Sequence, residues 1–291
     1  MMAAPAGDRL RHTVVREQYM NAKPLIVASH KLFLGLPEAV EFARRLLMVI
    51  EDHPALDVVI SPSLLNLAHV AEMVMDSPVA IAAQNVHQEG KGAFTGQVSV
   101  QELLALHVKY VVIGHSEVIA HQHDGPAALS NKIVWCVRHG LRPIVCVTGD
   151  SDEEKDGAGG TIASVLRQLM TGLLREPSLR AEPLIVYEPP SSSACDSAEG
   201  RQRVRRTLRA IREEARTLLG SRATMTPRVL YGGGVTPANA RTLASELDAD
   251  GFLVGRASVE LSSFLDILDA IEDTTCLAHA VTAAAPARSF A

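Results

Sequence analysis

A carboxylate, an imidazole, an ammonium group and two glycine clusters stand out in this 291-residue chain for the chemistry they could perform together. Glu188 closes a short apolar run and is followed by Pro189, which restricts the backbone of the residue before it. A carboxylate in that position is a poor core residue and a good proton acceptor; the plainer role open to it is a salt bridge to a loop arginine. His115 lies between Gly114 and Ser116, after another apolar run and directly before a helical pattern. A helix N-terminus disfavours imidazolium, so a ring there is expected to be neutral; the alternative is a satisfied core histidine. Lys31 follows the first run and offers either a fixed positive charge to an anionic substrate or an ordinary surface charge. After the last two runs come Gly232, Gly233 and Gly234, then Gly255, whose backbone N–H groups no side chain shields. With helix starts behind them (Thr236 as a natural cap, Pro237 suited to the first helical position), they read as an anion cradle, typically for phosphate. Otherwise they only close tight strand–helix corners. Taken together, the set suits proton abstraction α to a carbonyl on a small phosphorylated sugar, through an enediolate whose oxyanion faces fixed donors.

Such groups must be held by a scaffold, and the hydrophobic pattern supplies one. Eight runs rich in Val, Ile and Leu recur at 24–28, 56–60, 79–83, 109–113, 143–147, 184–187, 228–231 and 251–254. Runs apolar on both faces are what buried parallel strands look like. Helical patterns lie between them. Over 37–51, Val40, Ala43, Leu46, Leu47 and Ile50 form one apolar face, and Val204, Leu208, Ile211, Ala215 and Leu218 do the same after the sixth run. Eight strands alternating with helices in about 265 residues suit an α/β fold of one domain, a closed (β/α)8 barrel, with an open doubly wound sheet as the alternative. In a barrel, Ser29, Lys31, Gln84, Asn85, His115, Glu117, Glu188, the glycines and Arg256 crowd one rim, the C-terminal ends of the strands. The barrel domain is expected over 23–277, flanked by a flexible N-terminal extension (1–22) and a flexible Ala-rich tail (278–291). The charged, Gly-rich stretch 151–160 is expected to be a solvated loop, and a second loop, 189–200, lacks any large side chain.

Composition narrows the function classes. Hydrophobic residues are 47% and charged residues 21%, which excludes wholesale disorder. A net charge of −5 leaves no electrostatic footprint for nucleic acid or an anionic membrane. No apolar run approaches the roughly 20 residues that span a bilayer, and the N-terminus has no apolar signal-like stretch. Cys136, Cys146, Cys195 and Cys276 show no CxxC spacing, which favours buried or incidental thiols in a reducing, cytoplasmic compartment. The histidines show no metal-binding spacing, so neither a metal site nor a cofactor is expected.

At this point the residues resemble triosephosphate isomerases. QNVHQEGKGAFTGQVS (84–99), YVVIGHSE (110–117), NKIVWCVRHGLRPIVCV (131–147), YEP (187–189), VLYGGGVTPANA (229–240) and DGFLVGRAS (250–258) are similar to that family's motifs, in order, across nearly the whole barrel. The resemblance implies a TIM barrel and an aldose–ketose isomerase. It assigns Glu188 as the base shuttling a proton between adjacent carbons, and His115 as the neutral electrophile, the pair of roles by which this family is commonly illustrated. Lys31 becomes the electrostatic partner of the substrate oxygen and phosphate, with Glu117 beside it. The amides of Gly233, Gly234, Gly255 and Arg256 hold the phosphate, the loop after Glu188 is a lid, and Tyr231 braces it. Thr95 reaches into a second subunit, implying a homodimer.

The departures from that pattern bear on the substrate. Ser29 and His30 stand where the family has Asn and Trp before the lysine, and Arg256 replaces a glycine after the eighth strand; Ser29 and Arg256 resemble the erythrulose-phosphate isomerases of this family. The lid begins Pro189-Pro190-Ser191 and lacks the family's Trp, so an apolar anchor is missing and firm closure is not expected. Gln97 and Val118 replace two charges that pair across the family's dimer, a joint loss that orphans neither. The expected substrate is therefore glyceraldehyde 3-phosphate/dihydroxyacetone phosphate or a tetrulose phosphate one carbon longer. The alternative of another class is a catalytically weak barrel that binds a sugar phosphate as a sensor or scaffold.

Overall fold

The computed structural model describes residues 23–122, 124–149, 160–176, 178–223 and 226–283. The expected extension at 1–22, nearly all of the solvated loop at 151–160, His123 and residues 284–291 lie outside the described residues.

Eight parallel strands follow one another around a closed ring: β1 (Leu25–Ser29), β2 (Asp57–Ser61), β3 (Ala80–Ala83), β4 (Tyr110–Ile113), β5 (Arg142–Thr148), β6 (Leu184–Glu188), β7 (Arg228–Tyr231) and β8 (Gly251–Val254). Each coincides with an apolar run of the sequence to within a residue at either end. The ring closes where β1 pairs with β8, Leu25 opposite Gly251 and Ala28 opposite Val254, and this rules out the open-sheet alternative. Gly251 (φ +153) marks that seam: a Cβ there would sit 2.1 Å from the Leu25 carbonyl oxygen.

Helices cover the outside. They are α1 (Leu36–Leu47), α2 (Leu64–Val74), α3 (Val100–Ala105), α4 (Ser116–Gln122), α5 (Pro126–Arg138), α6 (Gly160–Leu174), α7 (Ala198–Leu219), α8 (Pro237–Glu246) and α9 (Leu261–Ala283). Their boundaries have local causes. Pro37 occupies the first turn of α1, with Glu38 near its N-terminus and Arg44 and Arg45 near its C-terminus, each complementing the helix dipole. Ser99 and Glu102 cap α3 reciprocally. The buried face of α1 is Ala39, Phe42, Ala43 and Leu46, rotated slightly from the Val40-centred face expected; in α7 it is Val204, Leu208, Ile211, Ala215 and Leu219, with Leu218 only half-buried. Among the described residues no helix is long and apolar enough to cross a membrane.

Two cores result from the two-residue alternation of the strands. Leu25, Val27, Val59, Tyr110, Val112, Ile144, Cys146, Leu184, Val186, Leu230 and Leu253 fill the barrel interior, while the alternate residues pack against the helices. Continuing the inward series by one step toward the C-terminal rim reaches Ser29 on β1 and Glu188 on β6, and, just past the ends of β4, β7 and β8, Gly114, Gly232 and Gly255. The rim is thus the place where the apolar filling stops and polar or side-chain-free positions begin.

Candidate functional site

Glu188 is the last residue of β6 and is 6% exposed. Following Leu184 and Val186, its carboxylate faces the barrel axis at the rim. One carboxylate oxygen lies 3.1 Å from His115 Nε2, and the other accepts from the Ser116 backbone N–H at 3.3 Å. The backbone N–H of Glu117 donates to His115 Nδ1 at 3.2 Å. A ring nitrogen that accepts carries no proton, so the imidazole proton sits on Nε2 and points at Glu188. The ring is 8% exposed.

Simple alternation would turn His115 outward, beneath the helices, like Val111 and Ile113. Gly114 prevents this. Its φ of +79 breaks the strand, and a Cβ there would press to 3.3 Å from the Cys146 carbonyl oxygen. The left-handed step swings His115 over the rim toward β6.

Lys31, two residues past β1, adopts φ +48, unusual for a residue with a side chain. The loop holds it there: the His30 N–H donates to the Ser61 carbonyl at 3.0 Å, and Phe33 N–H to the His30 carbonyl at 3.0 Å. Gln84, just past β3, donates from Nε2 to the carbonyls of Lys31 (2.9 Å) and Ser61 (3.1 Å). The ammonium group of Lys31 donates to Glu117 Oε1 at 2.7 Å. For Glu117, partial burial works upward, but the hydrogen bond and charge of Lys31 outweigh it and hold the carboxyl below its ordinary range.

The glycine positions follow β7 and β8, between the strands that carry Glu188 and Lys31. Gly232 N–H is used by the Tyr187 carbonyl (2.9 Å), whereas among the described residues the N–H groups of Gly233, Gly234 and Gly255 have no backbone acceptor. Pro237 begins α8 as expected, and Asn239 fixes the turn before it by donating to the Gly234 carbonyl (2.9 Å) and accepting from the Thr236 N–H (2.8 Å). Gly255 lies beside Lys31: a Cβ there would be 3.5 Å from its Cε. Ser258 closes the short turn Arg256–Ser258 by donating to the carbonyls of Gly255 (2.8 Å) and Val254 (3.0 Å). A carboxylate, an imidazole with its proton on Nε2, an ammonium group and two free-amide turns therefore share one rim.

The triosephosphate isomerase family model matches residues 24–271. The triosephosphate isomerase of Chloroflexus aurantiacus is 37% identical over 246 residues, 84% of this chain and 98% of that protein. Those of Carboxydothermus hydrogenoformans and Thermoanaerobacter pseudethanolicus are 36% and 32% identical, over 84% and 85% of this chain and 98% and 99% of their own. The chain belongs to the triosephosphate isomerase family.

Against that family's pattern, the remaining expected positions fall as follows. Ser29 is buried at the inward end of β1. Arg256 turns its guanidinium onto the Phe33 ring, 4.6 Å from the centroid, so its charge bridges the loops after β8 and β1. Tyr231 is completely buried at the end of β7, its hydroxyl beside Cys195 of the 189–200 segment. Thr95 is exposed on the loop between β3 and α3.

Two residues that touch the site do not stand out as site residues in the sequence. Cys146, on β5, lies fully buried beside the Glu188 carboxylate; burial first, then that carboxylate, pushes the thiol well up. Its position two residues after the inward Ile144 was the available signal. Gln84 reads in the sequence only as a polar strand end, and its bond to the Lys31 backbone depends on two loops that are distant in sequence.

Proposed function

We propose that this protein is an aldose–ketose isomerase of a short phosphorylated sugar, either glyceraldehyde 3-phosphate/dihydroxyacetone phosphate or a tetrulose phosphate. The observation that carries the reading is the 3.1 Å approach of His115 Nε2 to Glu188 Oε1 on a rim with unshielded amides alongside. A substrate seated there inserts its two reacting carbons between these partners. The Glu188 carboxylate takes the proton from the carbon next to the carbonyl, and the C–H electron pair becomes the C=C bond of the enediolate. The carbonyl π pair moves onto oxygen, where the Nε2–H of His115 and the Lys31 ammonium group stabilise it. Nε2 of His115 relays the hydroxyl proton of the neighbouring oxygen to the former carbonyl oxygen, and Glu188 returns its proton to the former carbonyl carbon, so that aldose and ketose interconvert with no net gain or loss of protons. Glu117 holds Lys31 in place, and the amides of Gly233, Gly234, Gly255 and Arg256 receive the phosphate. Ser29 borders the substrate oxygens, the 189–200 segment acts as the lid, and Tyr231 supports it. No cofactor enters these steps.

The protein is further proposed to act as a homodimer in the cytoplasm. Supporting the first, Leu32, Leu64, Leu65 and Ile119 leave large apolar side chains exposed on the segments after β1, β2 and β4. A cleft of about 300 Å³ beside them is lined by Pro62, Leu64, Gly96, Gln97 and Gln122, next to Thr95. Supporting the second, all four cysteines are free thiols.

The deciding experiment measures turnover of purified protein on triose and tetrose phosphates and titrates phosphoglycolate, which mimics the enediolate. Turnover of one pair, with tight inhibition by phosphoglycolate, is the expected outcome, and the ratio of kcat/KM values names the substrate. Tight phosphoglycolate binding without turnover of either pair leaves a sugar-phosphate sensor instead. Sedimentation at micromolar concentration checks the dimer; a monomer there removes it.

A further inference from the structure

We infer that Cys195 is the anchor that holds the segment 189–197 down over the rim, a positioning residue for closure; the inference rests on the isomerase reading above. Among residues 189–199, Cys195 alone is buried (7% exposed), while Ser191, Ser192, Ser193, Asp196 and Ser197 are exposed. The segment therefore does carry an anchor, in the form of a single sulfur atom.

What that atom meets is specific. Tyr231 is completely buried, and its hydroxyl has no hydrogen bond of ordinary geometry among the described residues; it abuts the Cys195 thiol. Burial pushes that thiol above its ordinary range, so it stays protonated at neutral pH and behaves as a small hydrophobe. The backbone on both sides is gripped as well. Arg201, in the first turn of α7, donates from Nη1 to the Cys195 carbonyl (3.2 Å) and from Nε to Glu246 at the end of α8 (2.7 Å). Ala194 N–H closes back on the Ser191 carbonyl (3.2 Å), and Asp196 N–H on that of Ser193 (3.1 Å).

The anchor is continuous with the amide-lined turn. A Cβ on Gly233 would lie 2.5 Å from the Tyr231 hydroxyl, and one on Gly234 would lie 2.6 Å from the Ser192 carbonyl oxygen. The Tyr231 phenol thus lies against the Gly233 backbone, and the Ser192 carbonyl against that of Gly234. Seating Cys195 and shaping the turn that receives the phosphate are one packing event. A lid has to open as well as close, and a lone sulfur gives a hold weak enough to release.

Two measurements on the full-length native protein test this. The first needs no turnover: peptide-resolved alkylation by iodoacetamide should modify Cys195 at least ~10-fold more slowly than the exposed Cys276. Equal rates overturn the anchor. The second uses Cys195→Ala. Losing the anchor should raise KM and lower kcat together, with the phosphate released per isomerisation rising about tenfold. That release is the enediolate's side reaction: the C–O bond to phosphate breaks, its electron pair leaves with the phosphate, and the remaining enol tautomerises to a dicarbonyl. Cys195→Ser, whose hydroxyl can bond to Tyr231, should fall between the two. A variant that merely folds poorly loses kcat through its active fraction and leaves KM and the phosphate ratio alone; that pattern overturns the proposal. If neither triose nor tetrose phosphate is turned over, the isomerase reading fails, and the alkylation rates still decide whether Cys195 is held down.

Discussion

Two buried histidines stand just past strand ends, His30 after β1 and His115 after β4, and their surroundings could hardly differ more. His30 is 1% exposed, sits edge-on to Phe42 of α1 with ring centroids 4.5 Å apart, and among the described residues neither ring nitrogen has a partner. His115, 8% exposed, has both nitrogens engaged, one by the Glu117 N–H and one by the Glu188 carboxylate. The cause lies in the backbone. β1 keeps its alternation, Leu25, Val27 and Ser29 inward, so His30 goes outward under α1. β4 loses its alternation at Gly114, and His115 arrives at the rim. Burial alone therefore does not distinguish the two histidines; what counts is which groups their nitrogens reach.

Removing the group that faces His115 should break this contrast most severely. Glu188→Gln keeps the shape but loses the base, and kcat is expected to fall by about 10²–10⁴-fold in steady-state assays of the preferred substrate. A Glu188→Gln protein that retains most of its activity removes Glu188 from the role proposed here. His115→Gln takes away the donor proposed to face the developing oxyanion, with an expected loss of about 10²–10³ in kcat. His30→Phe should leave turnover near that of the wild type, since the ring faces α1 and not the rim.

The pH dependence of stability sharpens the comparison from the other side. Burial lowers the pKa of His30 from 6.5 to about 4. Between those values the unfolded chain binds a proton that the folded one refuses, so this contribution is fully present above pH 6.5 and is lost as pH falls toward 4. The displacement corresponds to about 3 kcal/mol. Denaturant unfolding from pH 7 to pH 4 should show the loss in the wild type and a shallower one in His30→Phe. Parallel curves would mean that His30 is not desolvated as described. Smaller again is Gly114→Ala, expected to cost about 1–2 kcal/mol because φ is +79 there. It should also depress kcat by misdirecting His115, whereas stability loss without a kcat effect would separate the glycine from the histidine's orientation. Smallest is Arg256→Gly, which removes an exposed cation–π contact with Phe33 of about 0.5–1 kcal/mol, read as a few-fold change in KM.

Much of this molecule could be read along the chain. Eight Val/Ile/Leu runs marked eight strands almost to the residue, since a strand buried on both faces tolerates little else. The groups of the rim were also legible, because a carboxylate, a histidine and bare glycines at strand ends stand out against apolar neighbours. Glu188 even carries its own direction, two residues beyond Val186 on the inward series. Cys195 shows where such reading stops. In the sequence it is one small residue in a serine-rich loop, and its importance comes from Tyr231 lying 36 residues further on.

Sequence by itself determined the strand count, the barrel's two-sided hydrophobicity and the chemical types assembled at the rim, because these follow from local pattern and composition. Only the folded backbone decided which way His115 points, that His30 is sealed away without partners, that Gln84 holds the Lys31 loop, and that a thiol pins the segment over the site. Each of these depends on contacts between residues distant in sequence, or on one glycine's left-handed turn, and alternation rules carry no information about either.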